Sequence, residues 1–570
     1  MHLTLPKQLP TNWAKLSAQA KGLLTPSHED KKSSKRHGHE DECEAHQVFR
    51  SVIGHNTKLS SGSRSKRLQK TRTLEQTSQD EPAIDKLILS EEAKAIPEAS
   101  VEADSASDSE DQVLPGISSP GSTGVIFVMD RAMANGFTYD DHEWANFGQG
   151  APEVGDIPGA SSKPETLDVA GMGIDVHEYA PTTGVKALRT AVADLYNHTY
   201  RKDKVSKYTF ENVCIVPGGR SGLTRVASVV GEVYVGYQLP EYTAYDQMLS
   251  VFRRLVPIPS ALSAEDNYKL HMEKLKENID QMGLSVIFAS NPRNPTGQAI
   301  EGEELQELVD VGRHGQTIVL DEFYSWYNLE GALGESLSAA KYIENVNKDS
   351  IVIIDGLTKN WRCPGWRVCW VIGPKSLISA LSQSGSFLDG GASHIMQMAA
   401  IPLLEVSRVE QDKIALQKHF RMKRDRVLSR LAEMGLKVKV PPKWTFYIWL
   451  DLSDLPAPLN SGLVFFEELL KQKVIVVPGI FFDLNPAHRR NLFSSPCHHF
   501  VRLSFGPPLE QLEKGLDGIE RVLHTAHEHL TTKGHLDSMG KGLAPLTGTV
   551  ISKAAVHGVA DATKPVTGHR

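Results

Sequence analysis

Between residues 200 and 390 short apolar runs alternate with amphipathic stretches. The runs at 213–217, 233–237, 285–289, 317–320, 351–354 and 368–372 are rich in β-branched residues and nearly free of polar ones. That pattern suits strands covered on both faces. The segments 221–230, 303–312 and 375–383 lie between several of them with apolar residues at helical spacing. The alternation predicts an α/β fold with a mostly parallel, doubly wound sheet. A further helix is expected over 185–200, where Leu188, Ala191, Val192, Leu195 and Tyr196 share a face. Past Gly390 the character changes. A long helical stretch at 394–434, broken near Arg408, precedes strands at 446–451, 474–477 and 501–505 and helices at 462–472 and 509–530. This predicts a smaller α+β domain.

The chain therefore divides into a disordered arm over 1–115, an N-terminal segment with part of the small domain over 116–200, a large domain over 201–392, a small domain over 393–530 and a disordered tail over 531–570. Order is expected to begin near Val125. The arm is dominated by Ser, Lys, His, Glu and Gln, too few of whose side chains can be buried to offset the entropy of ordering. Its Arg64, Lys66, Arg67, Lys70 and Arg72 form a basic patch ahead of an acidic stretch, read as a solvated arm rather than a nuclear-import element. His37, His39, Cys43 and His46 carry zinc-ligand chemistry, but their spacing fits no strong zinc pattern, and no metal is expected.

Composition narrows the function. A net charge of −7 argues against nucleic acid as the main partner. The five cysteines are odd in number and form no CxxC pair, which predicts reduced thiols. No apolar run approaches the roughly 18 residues of a membrane span. The first 28 residues lack acids but also lack arginine, so a mitochondrial leader has little support and a cytoplasmic location is expected.

Ligands of wound sheets sit beyond the carboxyl ends of the strands. Candidate residues cluster there. Asp355-Gly-Leu-Thr-Lys-Asn-Trp-Arg-Cys-Pro-Gly-Trp-Arg367 places Lys359 in a polar loop after an apolar strand. A lysine so placed loses its proton readily and can form a Schiff base with an aldehyde, while Arg367 can take a phosphate. Pro217-Gly-Gly-Arg-Ser-Gly-Leu223 joins a strand to a helix, where backbone N–H groups can approach an anion. Asn291-Pro-Arg-Asn-Pro-Thr-Gly297 makes a rigid turning loop. Asp321 ends a strand, and a buried carboxylate there needs a cation.

Together with Pro240-Glu-Tyr-Thr-Ala-Tyr245, these strings resemble the class I/II aminotransferases of fold type I, which use pyridoxal 5'-phosphate. The resemblance covers roughly residues 125–525. It implies that Lys359 holds the cofactor as a Schiff base and then moves a proton. It implies that Asp321 pairs with the ring nitrogen, that Asn294 and Tyr324 donate to the phenolic oxygen, and that Tyr242 stacks on the ring. Gly219, Arg220 and Arg367 would contact the phosphate, joined by Tyr179 from a neighbouring subunit, which implies a homodimer with a composite site. Arg502 would bind the substrate α-carboxylate, with Gly150 and Asn294 beside the substrate. The implied reaction transfers an amino group from an L-amino acid to a 2-oxo acid. A lyase or cyclase on the same fold, and a non-catalytic regulator, remain alternatives. Gly356 departs from the family, which often carries a serine there, and Arg220 is expected to supply the missing phosphate contact. Trp444, Trp326 and Trp361 are expected to narrow the pocket, and His488-Arg-Arg490 is read as a solvated loop.

Overall fold

The computed structural model describes residues 124–492 and 494–542, with side chains described up to residue 528. The zinc-like cluster, the basic patch and the arm at 1–115 lie outside the described residues, as do residues 543–570.

The strands, in chain order, are β1 (Ala145–Asn146), β2 (Val213–Val216), β3 (Val233–Leu239), β4 (Leu255–Ala261), β5 (Leu284–Ser290), β6 (Thr317–Asp321), β7 (Ile351–Gly356), β8 (Cys369–Ile372), β9 (Tyr447–Asp451), β10 (Val474–Ile475), β11 (Val477–Pro478) and β12 (Phe500–Ser504). Seven of them form the main sheet in the order β2-β8-β7-β6-β5-β3-β4. Every residue of β2, β7 and β8 is buried, so both pleat faces are covered. Helices Gly219–Val229 and Lys375–Leu388 pack on these strands and on each other, and Gly302–Arg313 packs on β6 and β7.

β8 runs antiparallel to both its neighbours, β2 and β7, while the other pairs are parallel. The link from β7 to β8 holds no crossover helix, and a parallel return needs one. β2 and β7 both oppose β8 and so run in the same direction as β3, β5 and β6. The carboxyl ends of these five strands open along one edge of the sheet, and each is followed by one of the motif loops. β4 is an addition to the predicted strands. Its Pro257 and Pro259 disguise it, and it tolerates them because it is the edge strand.

The smaller sheet is β11-β12-β9, antiparallel throughout, and β1 pairs with β10. Helix Gly124–Ala134 joins this part through Arg131, whose guanidinium grips Glu467 at 2.8 and 2.7 Å. Helix Lys186–Tyr200 packs instead on β2 of the main sheet, so the segment 116–200 is shared between the two sheets. The long helical stretch breaks at Pro402 and resumes as Val406–Glu433. The last helix runs from Leu509 to Gly542, twelve residues beyond its expected end, so the tail does not begin at 531. Among the described residues no helix is long and apolar enough to cross a membrane.

Candidate active site

Lys359 stands three residues past β7, half-buried. Its amine donates to the Gly150 carbonyl, and its own carbonyl accepts from the Tyr327 hydroxyl at 2.9 Å. Burial pushes the amine down to about 8, helped by the positive charge of Arg502 and resisted by Asp321. At neutral pH a useful fraction is therefore an unprotonated base.

Asp321 closes β6 beside Ser290 of β5 and is buried. Burial raises its carboxyl to about 7, and the nearby Glu241 adds to the shift. A carboxylate held so far above its usual range is an acid without its cation. A protonated ring nitrogen supplies one.

Arg502 lies in the middle of β12, opposite Trp449 of β9, and is 2% exposed. It donates to Asn294 Oδ1 at 3.1 Å and to the Gly148 carbonyl at 2.8 Å, and its guanidinium lies 4.3 Å from the Tyr447 ring centre and 5.2 Å from that of Phe482. Its Nε has no hydrogen-bond partner among the described residues. A buried charged donor left open in this way is suited to a carboxylate.

Tyr324 is buried, and its hydroxyl lies 2.9 Å from that of Tyr447. Tyr447 also donates to the Gly150 carbonyl at 3.3 Å. Tyr242 is half-buried, and its hydroxyl accepts from Arg220 Nε at 3.4 Å. Arg220 is the second residue of helix Gly219–Val229. Just before the helix, Gly218 has φ of 104°, and a Cβ there would occupy the position of the Arg367 guanidinium. Arg367 itself is exposed and reaches the Pro217 carbonyl at 3.4 Å. Two arginines and a helix N-terminus thus surround one glycine turn, a cradle fit for a phosphate. The residues present fit pyridoxal phosphate at three places: an acid without a cation, a basic cradle and a low-pKa amine.

The geometry joins Lys359, Gly150, Tyr324, Asn294 and Arg502 through a continuous set of contacts, with Asp321 acting electrostatically on the lysine. Tyr179 is 94% exposed. The three tryptophans are buried. Trp326 and Trp361 pack against each other with ring centres 4.2 Å apart and planes tilted by 47°, Trp361 donates its indole N–H to the Leu403 carbonyl, and Trp444 has its backbone N–H on the Gly297 carbonyl. Arg490, read as part of a solvated loop, is bound to Asp483 and to the Leu484 carbonyl at 2.6 Å.

Sequence reasoning missed three residues. Tyr447 looks like one more aromatic in an apolar run. Glu241 and Arg293 fill the free positions of Pro-x-Tyr and Asn-Pro-x-Asn-Pro, and two opposite charges there were a signal. Glu241 accepts from the Tyr242 N–H at 2.7 Å and the Ser290 N–H at 3.2 Å.

The family model described as "Aminotransferase class I and II" matches residues 142–519. An aspartate aminotransferase of Bacillus sp. (strain YM-2) is 26% identical over 358 residues, covering 61% of this chain and 84% of the relative. An aspartate/prephenate aminotransferase of Thermus thermophilus is 27% identical over 356 residues, with the same coverage of both. Among solved structures, an aspartate aminotransferase from Thermus thermophilus with maleate matches with TM-score 0.59 and 23% identity, covering 71% of this chain and 99% of that one. An aminotransferase from Mycobacterium tuberculosis matches with TM-score 0.60 and 22% identity, covering 73% and 100%.

Proposed function

The chain belongs to the class I and II aminotransferases, and from that premise we propose a role for each residue of its cleft. The enzyme is a pyridoxal-phosphate-dependent transaminase, and the lyase, cyclase and regulator alternatives are not favoured. When bound, the cofactor supplies an aldehyde and an electron-withdrawing ring.

Lys359 is the anchoring amine and, once free, the base that moves a proton at the substrate's α-carbon. Asp321 holds the charge of the ring nitrogen. Asn294 and Tyr324 donate to the phenolic oxygen, and Tyr242 lies against the ring. Gly219, Arg220 and Arg367 take the phosphate. Arg502 binds the α-carboxylate of the amino acid, with Gly150 and Asn294 beside it. The observation that carries this reading is the meeting of Lys359 and Arg502 in one cleft, where the arginine's charge is the second-largest cause of the lysine's lowered pKa. A carboxylate gripped by the one brings its α-carbon within reach of the other.

Aspartate is the donor to try first, since aspartate appears in the names of several relatives. The enzyme acts as a homodimer in which Tyr179 serves the partner's phosphate site. Its nearly complete exposure supports this, as does the exposure of the large apolar side chains Ile174 and Phe387. The four described cysteines are free and buried, which supports a reducing compartment such as the cytoplasm.

The test is a half-reaction panel. Aspartate, glutamate, alanine, phenylalanine and tyrosine are each mixed with the cofactor-loaded enzyme, and the loss of the lysine-bound cofactor's absorbance is followed. A matching 2-oxo acid should restore it. Release of ammonia with no recoverable change in absorbance would overturn the assignment, as would silence toward the whole panel together with retained colour in Lys359→Ala.

A further inference from the structure

Tyr447 has one hydroxyl hydrogen and two neighbours that can accept it, the Tyr324 oxygen at 2.9 Å and the Gly150 carbonyl at 3.3 Å. Tyr324 likewise has one hydrogen. If Tyr447 gives its hydrogen to Gly150, Tyr324 must give its own to Tyr447, and none is left for a third group. If Tyr447 gives its hydrogen to Tyr324, that of Tyr324 is free. The Gly150 carbonyl meanwhile stays satisfied, because the Lys359 amine also donates to it. Both phenols are buried, so an unmade bond is costly and the choice is coupled. The Tyr447 ring also carries the Arg502 guanidinium on its face at 4.3 Å.

We propose that Tyr447 is a positioning residue whose single hydroxyl hydrogen, shared between Gly150 and Tyr324, decides whether Tyr324 can donate to the cofactor's phenolic oxygen. The inference rests on the role given to Tyr324 above. With the Lys359 amine free and bonded to Gly150, Tyr447 turns to Tyr324 and Tyr324 turns to the cofactor. With the amine engaged elsewhere, Gly150 draws the Tyr447 hydrogen back and the donation from Tyr324 weakens. The state of the lysine is thus passed to Tyr324 through a backbone carbonyl and the Tyr447 hydroxyl.

The experiment is a pH titration of the absorbance of the cofactor-loaded protein, for wild type, Tyr447→Phe, Tyr324→Phe and the double variant, with cofactor affinity from equilibrium titration alongside. A donor to an oxygen favours its anionic form, so losing one raises the midpoint. In the loaded protein the lysine is engaged and Tyr447 holds the Tyr324 hydrogen, so Tyr447→Phe frees Tyr324 for the cofactor and should lower the midpoint by roughly half a unit to one unit, the size of one ordinary hydrogen bond. The double variant should move no further than Tyr324→Phe alone, because Tyr447 acts through Tyr324. A midpoint unmoved or raised by Tyr447→Phe, or shifts that simply add, overturns the proposal while leaving the role of Tyr324 intact. If Tyr324→Phe itself moves nothing, that role falls and the inference falls with it. A purely structural Tyr447 would alter the melting temperature without the non-additive midpoint.

Discussion

Arg293 Nε lies 3.6 Å from Glu241 Oε2, with the two side chains 1% and 0% exposed. This ion pair joins the free positions of two motifs. Through Ser290 and the Tyr242 N–H, Glu241 holds the loop that carries Asn294 against the segment that carries Tyr242. Burial nevertheless outweighs the arginine and leaves the Glu241 carboxyl raised. Such a pair adds little net stability over apolar residues, but a lone survivor is expensive. Arg293→Met should therefore cost about 3–5 kcal/mol in denaturant unfolding. Glu241→Gln combined with Arg293→Met should recover most of that loss. A double variant no more stable than Arg293→Met would show that the charges do not act as a pair.

Asp321 should make the cofactor-free enzyme less stable as pH rises. Its folded pKa, about 7, lies above the unfolded value of 3.8. Between those values the folded state binds the extra proton, so stability falls through that window and the full penalty stands above pH 7. Asp321→Asn removes the penalty. At pH 8 it should stabilise the cofactor-free protein by up to about 4 kcal/mol, shrinking toward zero near pH 4, while transamination is lost. Melting curves of the two proteins across that range check the sign. A stability difference independent of pH would mean that Asp321 is already paired.

The sheet was legible because its strands are apolar on both faces, and the site was legible because its residues follow those strands in sequence. Lys359, Asp321 and Asn294 each stand at or just past a carboxyl end, so the strand pattern located them without coordinates. β4 was hidden by Pro257 and Pro259, which only an edge position tolerates. Tyr447 was hidden because a phenol that works and a phenol that packs have the same spacing. Nearness to a motif in sequence does not tell what a ring packs on, and Trp326 and Trp361 pack against each other. Gly356 could be seen as a departure from the family, but its cause is a tertiary contact.

That contact is with Cys369, the residue opposite Gly356 in the β7–β8 ladder. A Cβ on Gly356 would come within 2.5 Å of the Cys369 α-carbon and 2.6 Å of its sulfur. Backbone cannot move aside as a side-chain tip can, so the serine common in the family does not fit. Gly356→Ser should lose about 1–3 kcal/mol of stability and gain no cofactor affinity. Arg220 at the start of helix Gly219–Val229 is the expected replacement. Arg220→Ala should weaken cofactor binding by about tenfold or more, the worth of one charged hydrogen bond. Equal affinity by equilibrium titration would dismiss Arg220 as a phosphate ligand.

Tyr179 offers a test that separates a composite site from a self-contained one. It is 94% exposed, and Glu178 beside it is tied to His394 through its carbonyl at 3.2 Å, so the backbone is held while the phenol projects outward. A phenol this exposed is accessible to the phosphate site of another copy. Chains bearing Tyr179→Ala and chains bearing Lys359→Ala should each be impaired alone. Mixed in equal amounts under conditions that exchange subunits, half the dimers pair one of each. In those, the Tyr179→Ala chain keeps its lysine and borrows the partner's tyrosine. Activity should then rise to about a quarter of wild type, one intact site in every second dimer. A site completed within one chain would gain nothing from mixing, because no subunit would carry both residues.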